Sequence, residues 1–84
     1  MRVEHSFEVT ATCPVDRKPD VYSCVVRASR VIPVEDILAA VKTVTSGPPL
    51  FQEDLTRELH RALAAEVETT GWHSGIRTRV VCGG

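Results

Sequence analysis

The sequence predicts an α+β subunit in which two helices cover one face of an antiparallel sheet. Three observations carry that expectation: two stretches of period-two alternation near the start, two stretches with apolar residues three and four apart in the middle, and a last alternating stretch near the end. The order is strand, strand, helix, helix, strand (ββααβ), in one domain over residues 1–84. A chain this short buries only about 60 to 65% of its unfolded surface, so a large self-contained cleft is not expected.

From Arg2 to Cys13, Val3, His5, Phe7, Val9, Ala11 and Cys13 point one way and Glu4, Ser6, Glu8, Thr10 and Thr12 the other, which is a half-buried strand. On that inward face His5 reads as a buried, hydrogen-bonded imidazole. Pro14 to Asp20 combines two prolines with Asp and basic residues and suits a surface connection. A second strand between Val21 and Ile32 turns Tyr22, Cys24, Val26, Ala28 and Ile32 inward, with Arg30 as the polar exception. The short link makes the pair antiparallel.

Pro33 suits the first position of a helix, with Glu35 and Asp36 placed where the helix dipole favours them. Val34, Ile37, Leu38, Val41 and Val44 form its apolar stripe, and Ser46-Gly47-Pro48-Pro49 stops it. From Gln52 a second helix carries Leu55, Leu59, Ala62, Leu63 and Val67, with Gly71 as its C-terminal cap. Glu53 with Arg57 and Glu58 with Arg61 support it as side-chain pairs. Ile76, Thr78, Val80 and Cys82 then alternate as a third strand, and no fourth is evident. Such a layer leaves one sheet face and both edges without partners, for which oligomerisation into a closed barrel is the remedy.

Net charge is −1, with 43% hydrophobic and 25% charged residues, which excludes a disordered tail and disfavours non-specific polyanion binding. No apolar stretch is long enough to span a bilayer, and the first residues lack the apolar core of a signal peptide, so a cytoplasmic protein is expected. Cys13, Cys24 and Cys82 are an odd number without close pairing, which suits free thiols in a reducing compartment. Cys24 and Cys82 fall on apolar strand faces and read as core. No metal site is expected, because no Cys-x-x-Cys or close His pair is present. His60 reads as a surface residue, His73 beside Trp72 as a possible pocket wall, and Arg77 and Arg79 as a solvated strand face.

The stretch Thr12-Cys13-Pro14-Val15-Asp16-Arg17-Lys18-Pro19-Asp20 resembles the Cys-Pro turn of the 7-cyano-7-deazaguanine (preQ0) reductases. There a nucleophilic Cys is followed, at the spacing of Cys13 and Asp20, by an acid/base Asp. Phe51-Gln52-Glu53-Asp54 is similar to that family's Phe-His-Glu-Asp opening of the second helix, with Gln52 in place of the His, and Gly83-Gly84 fits its closing Gly-Gly. With compatible lengths between these motifs, the resemblance covers most of the chain from Glu8 to Gly84. The resemblance implies a QueF-like subunit of the tunnelling fold (T-fold), repeated around a multimeric barrel with sites between subunits. The sulfur and the helix-heading carboxylate would come from separate protomers.

For the site it implies that the Cys13 thiolate adds to the nitrile carbon as a covalent thioimide, that Asp20 protonates the nitrogen, and that Glu53, aided by Gln52, receives the guanine-like edge. The substrate would be a 7-deazaguanine nitrile, free or in nucleic acid. The reductases bind NADPH through Glu-Ser-Lys-Ser-x-Lys at the first helix. Here Glu35 can be matched, but Ile37 and Ala40 take the two lysine places. The expected reaction is therefore non-reductive, with ammonia, another amine or water as second attacker, as in the related amidinotransferases. An NADPH-dependent reductase with other cofactor contacts and a non-catalytic purine-binding module are the alternatives.

Overall fold

In the alternating stretches, the strands and their pairing follow directly from side-chain parity. A computed structural model describes residues 1–83; Gly84 of the terminal Gly-Gly pair lies outside the described residues. β1 (Val3–Thr12) and β2 (Pro19–Ala28) form an antiparallel hairpin that sets Val9 opposite Tyr22 and Ala11 opposite Asp20. After α1 (Val34–Thr45) and α2 (Gln52–Leu63) the chain returns as β3 (Glu66–His73) beside β2, then as β4 (Ile76–Cys82) beside β3. The sheet is fully antiparallel in the order β1-β2-β3-β4.

The α+β class and the two-helix layer are as expected, but the element string gains a strand. The stripe that runs Leu59, Leu63, Val67 continues past the true end of α2, because helical and strand spacing happen to agree there. Ala64 takes a left-handed conformation (φ 49, ψ 45) that ends the helix. Arg30, which lies beyond β2, donates from its guanidinium to the carbonyls of Leu63 and Ala64 and so satisfies acceptors the helix end leaves open. From there Ala65, Val67, Thr69 and Gly71 are buried while Glu66, Glu68 and Thr70 are half-buried between them, which is strand alternation. Gly71 is therefore no helix cap. It is the point where the Tyr22 ring lies against the β3 backbone, so close that a Cβ would sit 2.5 Å from Tyr22 Cδ1.

The core lies between the helices and the sheet: Val9, Cys24, Val26, Leu55, Leu59 and Val67 are all at most 2% exposed. Enclosing Leu55 and Leu59 contributes roughly 1.5–3 kcal/mol each. On α1 the buried residues are Ile37 and Ala40, with Val41 and Val44 packed at the margin. Val34 and Leu38, expected in the same stripe, are 54% and 62% exposed, because α1 meets the sheet on a face turned toward Ala40. His5 also departs from expectation. Its Nε2 is buried and has no hydrogen-bond partner among the described residues, since its inward neighbours include the apolar Phe7 and its opposite number Val26.

The face away from the helices carries charge in place of a second layer. Arg27 donates to Glu4, Glu66 and Glu68 at 3.1, 2.8 and 2.8 Å, and Arg79 donates to Glu68 at 2.8 Å. Arg79 is thus paired on this face, whereas Arg77 is exposed. Hydrogen bonds from Arg79 and then Arg27 hold the Glu68 carboxyl down to about 2.

Candidate functional site

Register carries Cys13, Asp20 and the tip of the second hairpin to one end of one sheet face. Odd positions in β1 and even positions in β2 face the helices, so Cys13, just past β1, and Asp20 and Tyr22 in β2 share that side. β3 runs back along β2 with Cys24 opposite Thr69, which puts Gly71 and His73 on the same side and end. β4 adds Thr78 opposite Gly71 and Ile76 opposite His73. The tight turn between them places Ser74 and Gly75 at φ 52 and 80.

The start of α2 is tied to the same end. The Leu50 amide donates to the Thr12 carbonyl at 3.1 Å, next to Cys13. Gln52 Nε2 donates to the Thr69 carbonyl and hydroxyl at 3.3 and 3.1 Å and to the Thr78 carbonyl at 3.0 Å. Thr56 Oγ1 completes this buried cluster at 2.7 Å from Thr69 Oγ1. The Gln52 nitrogen is therefore committed to holding the helix on the sheet, and what Gln52 can offer a ligand is its amide oxygen. Glu53 follows on the exposed side of the first turn. Arg57 pairs with Asp54 at 2.8 Å instead of with Glu53, which leaves the Glu53 carboxylate without an ion-pair partner among the described residues.

The Cys13 thiol is buried at 7% exposure. Tyr22, counted as core in the sequence reading, proves central: its hydroxyl donates to Asp20 Oδ2 at a long 3.5 Å. Its phenol is pushed up to about 12, first by burial and then by the charges of Asp20, Cys13 and Glu53. Sequence reasoning assigns the sulfur and Glu53 to separate protomers; a single chain brings them to the same end of its sheet. The available signal was parity, since Tyr22 follows Asp20 by two on a strand.

The surroundings are open. Val15, Phe51, Trp72 and Ile76, exposed by 75, 52, 68 and 67%, crown this end of the molecule. The grooves of 490, 390 and 280 Å³ lie elsewhere: between Arg30, α1 and the end of α2, beside Met1 and Arg27, and beside Val34 and Leu38. The positions where an NADPH-binding motif would place lysines do not fit that cofactor. Ile37 and Ala40 are 4% and 9% exposed and pack into the core, so neither reaches a phosphate. Among the described residues no group of three His, Cys, Asp or Glu could hold a metal ion, and no helix is long and apolar enough to cross a membrane. Cys24 is core, its thiol pushed up to about 12 chiefly by burial, and Cys82 is half-buried. His60 Nδ1 lies 2.6 Å from the Ala65 carbonyl, and its ring packs against Gly83.

No protein-family model and no curated protein matches the chain. Among solved structures it is similar to the archaeosine synthase QueF-like in the apo form, with a TM-score of 0.78 and 19% identity. The likeness covers 96% of this chain and 90% of that one. At this identity the likeness establishes architecture: the chain has the QueF-like, tunnelling-fold subunit fold that its Cys-Pro turn led one to expect.

Proposed function

We propose that this protein is a QueF-like enzyme that acts on the nitrile of 7-cyano-7-deazaguanine through a covalent thioimide on Cys13, without reduction. What supports the reading is that strand register and the Leu50–Thr12 bond set Cys13, Asp20 and the start of α2, which carries Glu53, at one end of the sheet, in a subunit fold like that of an archaeosine synthase. A 7-deazaguanine-type substrate, as the free base or within nucleic acid, is the chemistry that resemblance implies.

The sulfur of Cys13 attacks the nitrile carbon. A C–S bond forms, one C–N π bond opens, and Asp20 places a proton on the nitrogen as charge develops there. The hydrogen lost by sulfur balances the one gained by nitrogen, so the step is a net addition of S–H across C≡N. Ammonia or an amine then attacks the thioimide carbon, the C–S bond breaks, the thiol regains its hydrogen and an amidine leaves. With water the product is the amide. Neither course changes the oxidation level of that carbon, so no hydride donor is needed, in keeping with the buried Ile37 and Ala40.

Glu53 receives the ring N–H and exocyclic amino group of the base, whose parallel donors match its two oxygens. It stands in the first turn of α2. A free thiol nucleophile suits a reducing cytoplasm. Further copies of the chain close the open end, supported by its exposed apolar crown and by the outer edges of β1 and β4, which pair with no strand among the described residues.

The test is intact-mass measurement after incubation with the nitrile. An adduct of the nitrile's mass is expected in wild type and not in Cys13→Ala. No adduct in wild type, or one that persists in the variant, ends the proposal.

A further inference from the structure

Tyr22 stands two residues past Asp20 on the helix-facing side of β2, and no step above uses it. Its ring is fixed by close packing. β2 and β3 pair as far as Ser23 with Thr70, so the next residues outward are Tyr22 and Gly71. Gly71 offers no side chain there, and the Tyr22 ring lies against its backbone, with Cδ1 and Cε1 2.5 and 2.7 Å from where a Cβ would be. Only 8% of Tyr22 is exposed, and a ring with two rotatable bonds, held on one flank by backbone, has little freedom left.

The hydroxyl that this ring carries donates to Asp20 Oδ2 at 3.5 Å. Across the hairpin, Ala11 stands opposite Asp20 and Val9 opposite Tyr22, so β1 offers the carboxyl no polar side chain on this face. Among the described residues the phenol is the one side-chain hydrogen-bond partner that Asp20 has, and no ion pair competes for it. Burial first, and then neighbouring charge, pushes the phenol up to about 12, so its hydrogen is present throughout the neutral range.

We infer that Tyr22 is a positioning residue for Asp20: its hydroxyl, aimed by the ring's seat on Gly71, holds one carboxyl oxygen so that the other presents the proton to the nitrile nitrogen. This role rests on the reading of Cys13 as nucleophile and Asp20 as proton donor, and adds what aims that donor. Oδ2 accepts the phenol hydrogen, which leaves Oδ1 to carry the transferable one. As the C–S bond forms, that hydrogen passes to nitrogen, Asp20 is left a carboxylate, and the hydrogen given up by sulfur restores it. A hydrogen bond to a carboxylate is stronger than one to the neutral acid, so the Tyr22 contact tightens as the proton leaves. Its length in the free protein is the loose form of that contact, as is common for catalytic hydrogen bonds before substrate binds.

The test is the rate of thioimide formation, followed by intact mass in quenched time courses over a range of nitrile concentrations. Wild type, Tyr22→Phe, Asp20→Asn and the double variant are compared. Phe keeps the ring on Gly71 and removes one oxygen. Tyr22→Phe is expected to lower the limiting rate roughly tenfold at an unchanged half-saturating nitrile concentration, and Asp20→Asn to lower it about 100-fold. In the Asp20→Asn background, Tyr22→Phe is expected to add nothing, since no acid is left to aim. A wild-type rate in Tyr22→Phe overturns the role. So does an equal loss in both backgrounds, because a hydroxyl that merely supported the fold would cost the same without the Asp20 carboxyl. A raised half-saturating concentration at an unchanged limiting rate also overturns it. No adduct in wild type ends the thioimide reading and this role with it, whereas an adduct formed equally fast by Tyr22→Phe ends this role alone.

Discussion

Replacing Gly71 by alanine sets a methyl carbon 2.5 Å from Tyr22 Cδ1 and 2.7 Å from Cε1, where carbon pairs rest at about 3.5–4.0 Å. The ring must withdraw by about 1 Å, yet Tyr22 is only 8% exposed, and Gly71 is held opposite Thr78 in the sheet. Overpacking of this kind costs roughly 1–3 kcal/mol. For a domain of this size that is a fall in Tm of roughly 5–20 °C. Urea unfolding followed by circular dichroism measures it, and a double-mutant cycle with Tyr22→Ala identifies the cause. With the ring gone the methyl has room, and Gly71→Ala then becomes neutral or stabilises by up to about 1 kcal/mol, because glycine is unfavourable in a strand. Equal destabilisation in both backgrounds, or less than about 0.5 kcal/mol in the wild-type background, would refute the steric reasoning.

Three further outcomes follow from the same geometry. Glu68 has its folded carboxyl lowered from 4.5 to about 2, so its stabilising effect is complete above about pH 4.5 and disappears as pH falls toward 2. Acid unfolding should lose part of its slope in that window in Glu68→Gln; an unchanged profile would remove the network from the account. Ala64→Gly should raise stability by about 1 kcal/mol in urea unfolding, since glycine accepts the left-handed helix end that alanine resists. A loss of stability would count against that cap. Glu53→Gln should weaken binding of the deazaguanine base roughly 10- to 100-fold by calorimetry, through loss of a charged acceptor, while leaving the fold intact because Glu53 is exposed. Unchanged affinity would remove Glu53 from base recognition.

Much of the site's position was legible before any coordinates. Alternation ended the first strand at Cys13, and the acidic start of α2 set Glu53 near a helix N-terminus, but Asp20 was read into the connection and the structure pairs it inside β2. Tyr22 was legible as to face but not as to role, because alternation reports burial and says nothing of which charges surround a hydroxyl. The Arg57 partner went astray because Glu53 and Asp54 stand at equally plausible spacings.

Local chemistry in the chain determined the strands of the first hairpin, both helix starts and the grouping of apolar residues, since side-chain parity and terminal charge act over a few neighbours. Tertiary structure decided where α2 stops, that Val67 and Gly71 belong to a strand, and that Val34 and Leu38 stay outside the core. Those outcomes turn on contacts between residues far apart in the chain, Arg30 with the Leu63 and Ala64 carbonyls and Tyr22 with Gly71. The placement of the α2 start beside the Cys13 end of the sheet is of the same kind: it needs the Leu50–Thr12 and Gln52–Thr69 bonds, which exist only once helix and sheet are packed.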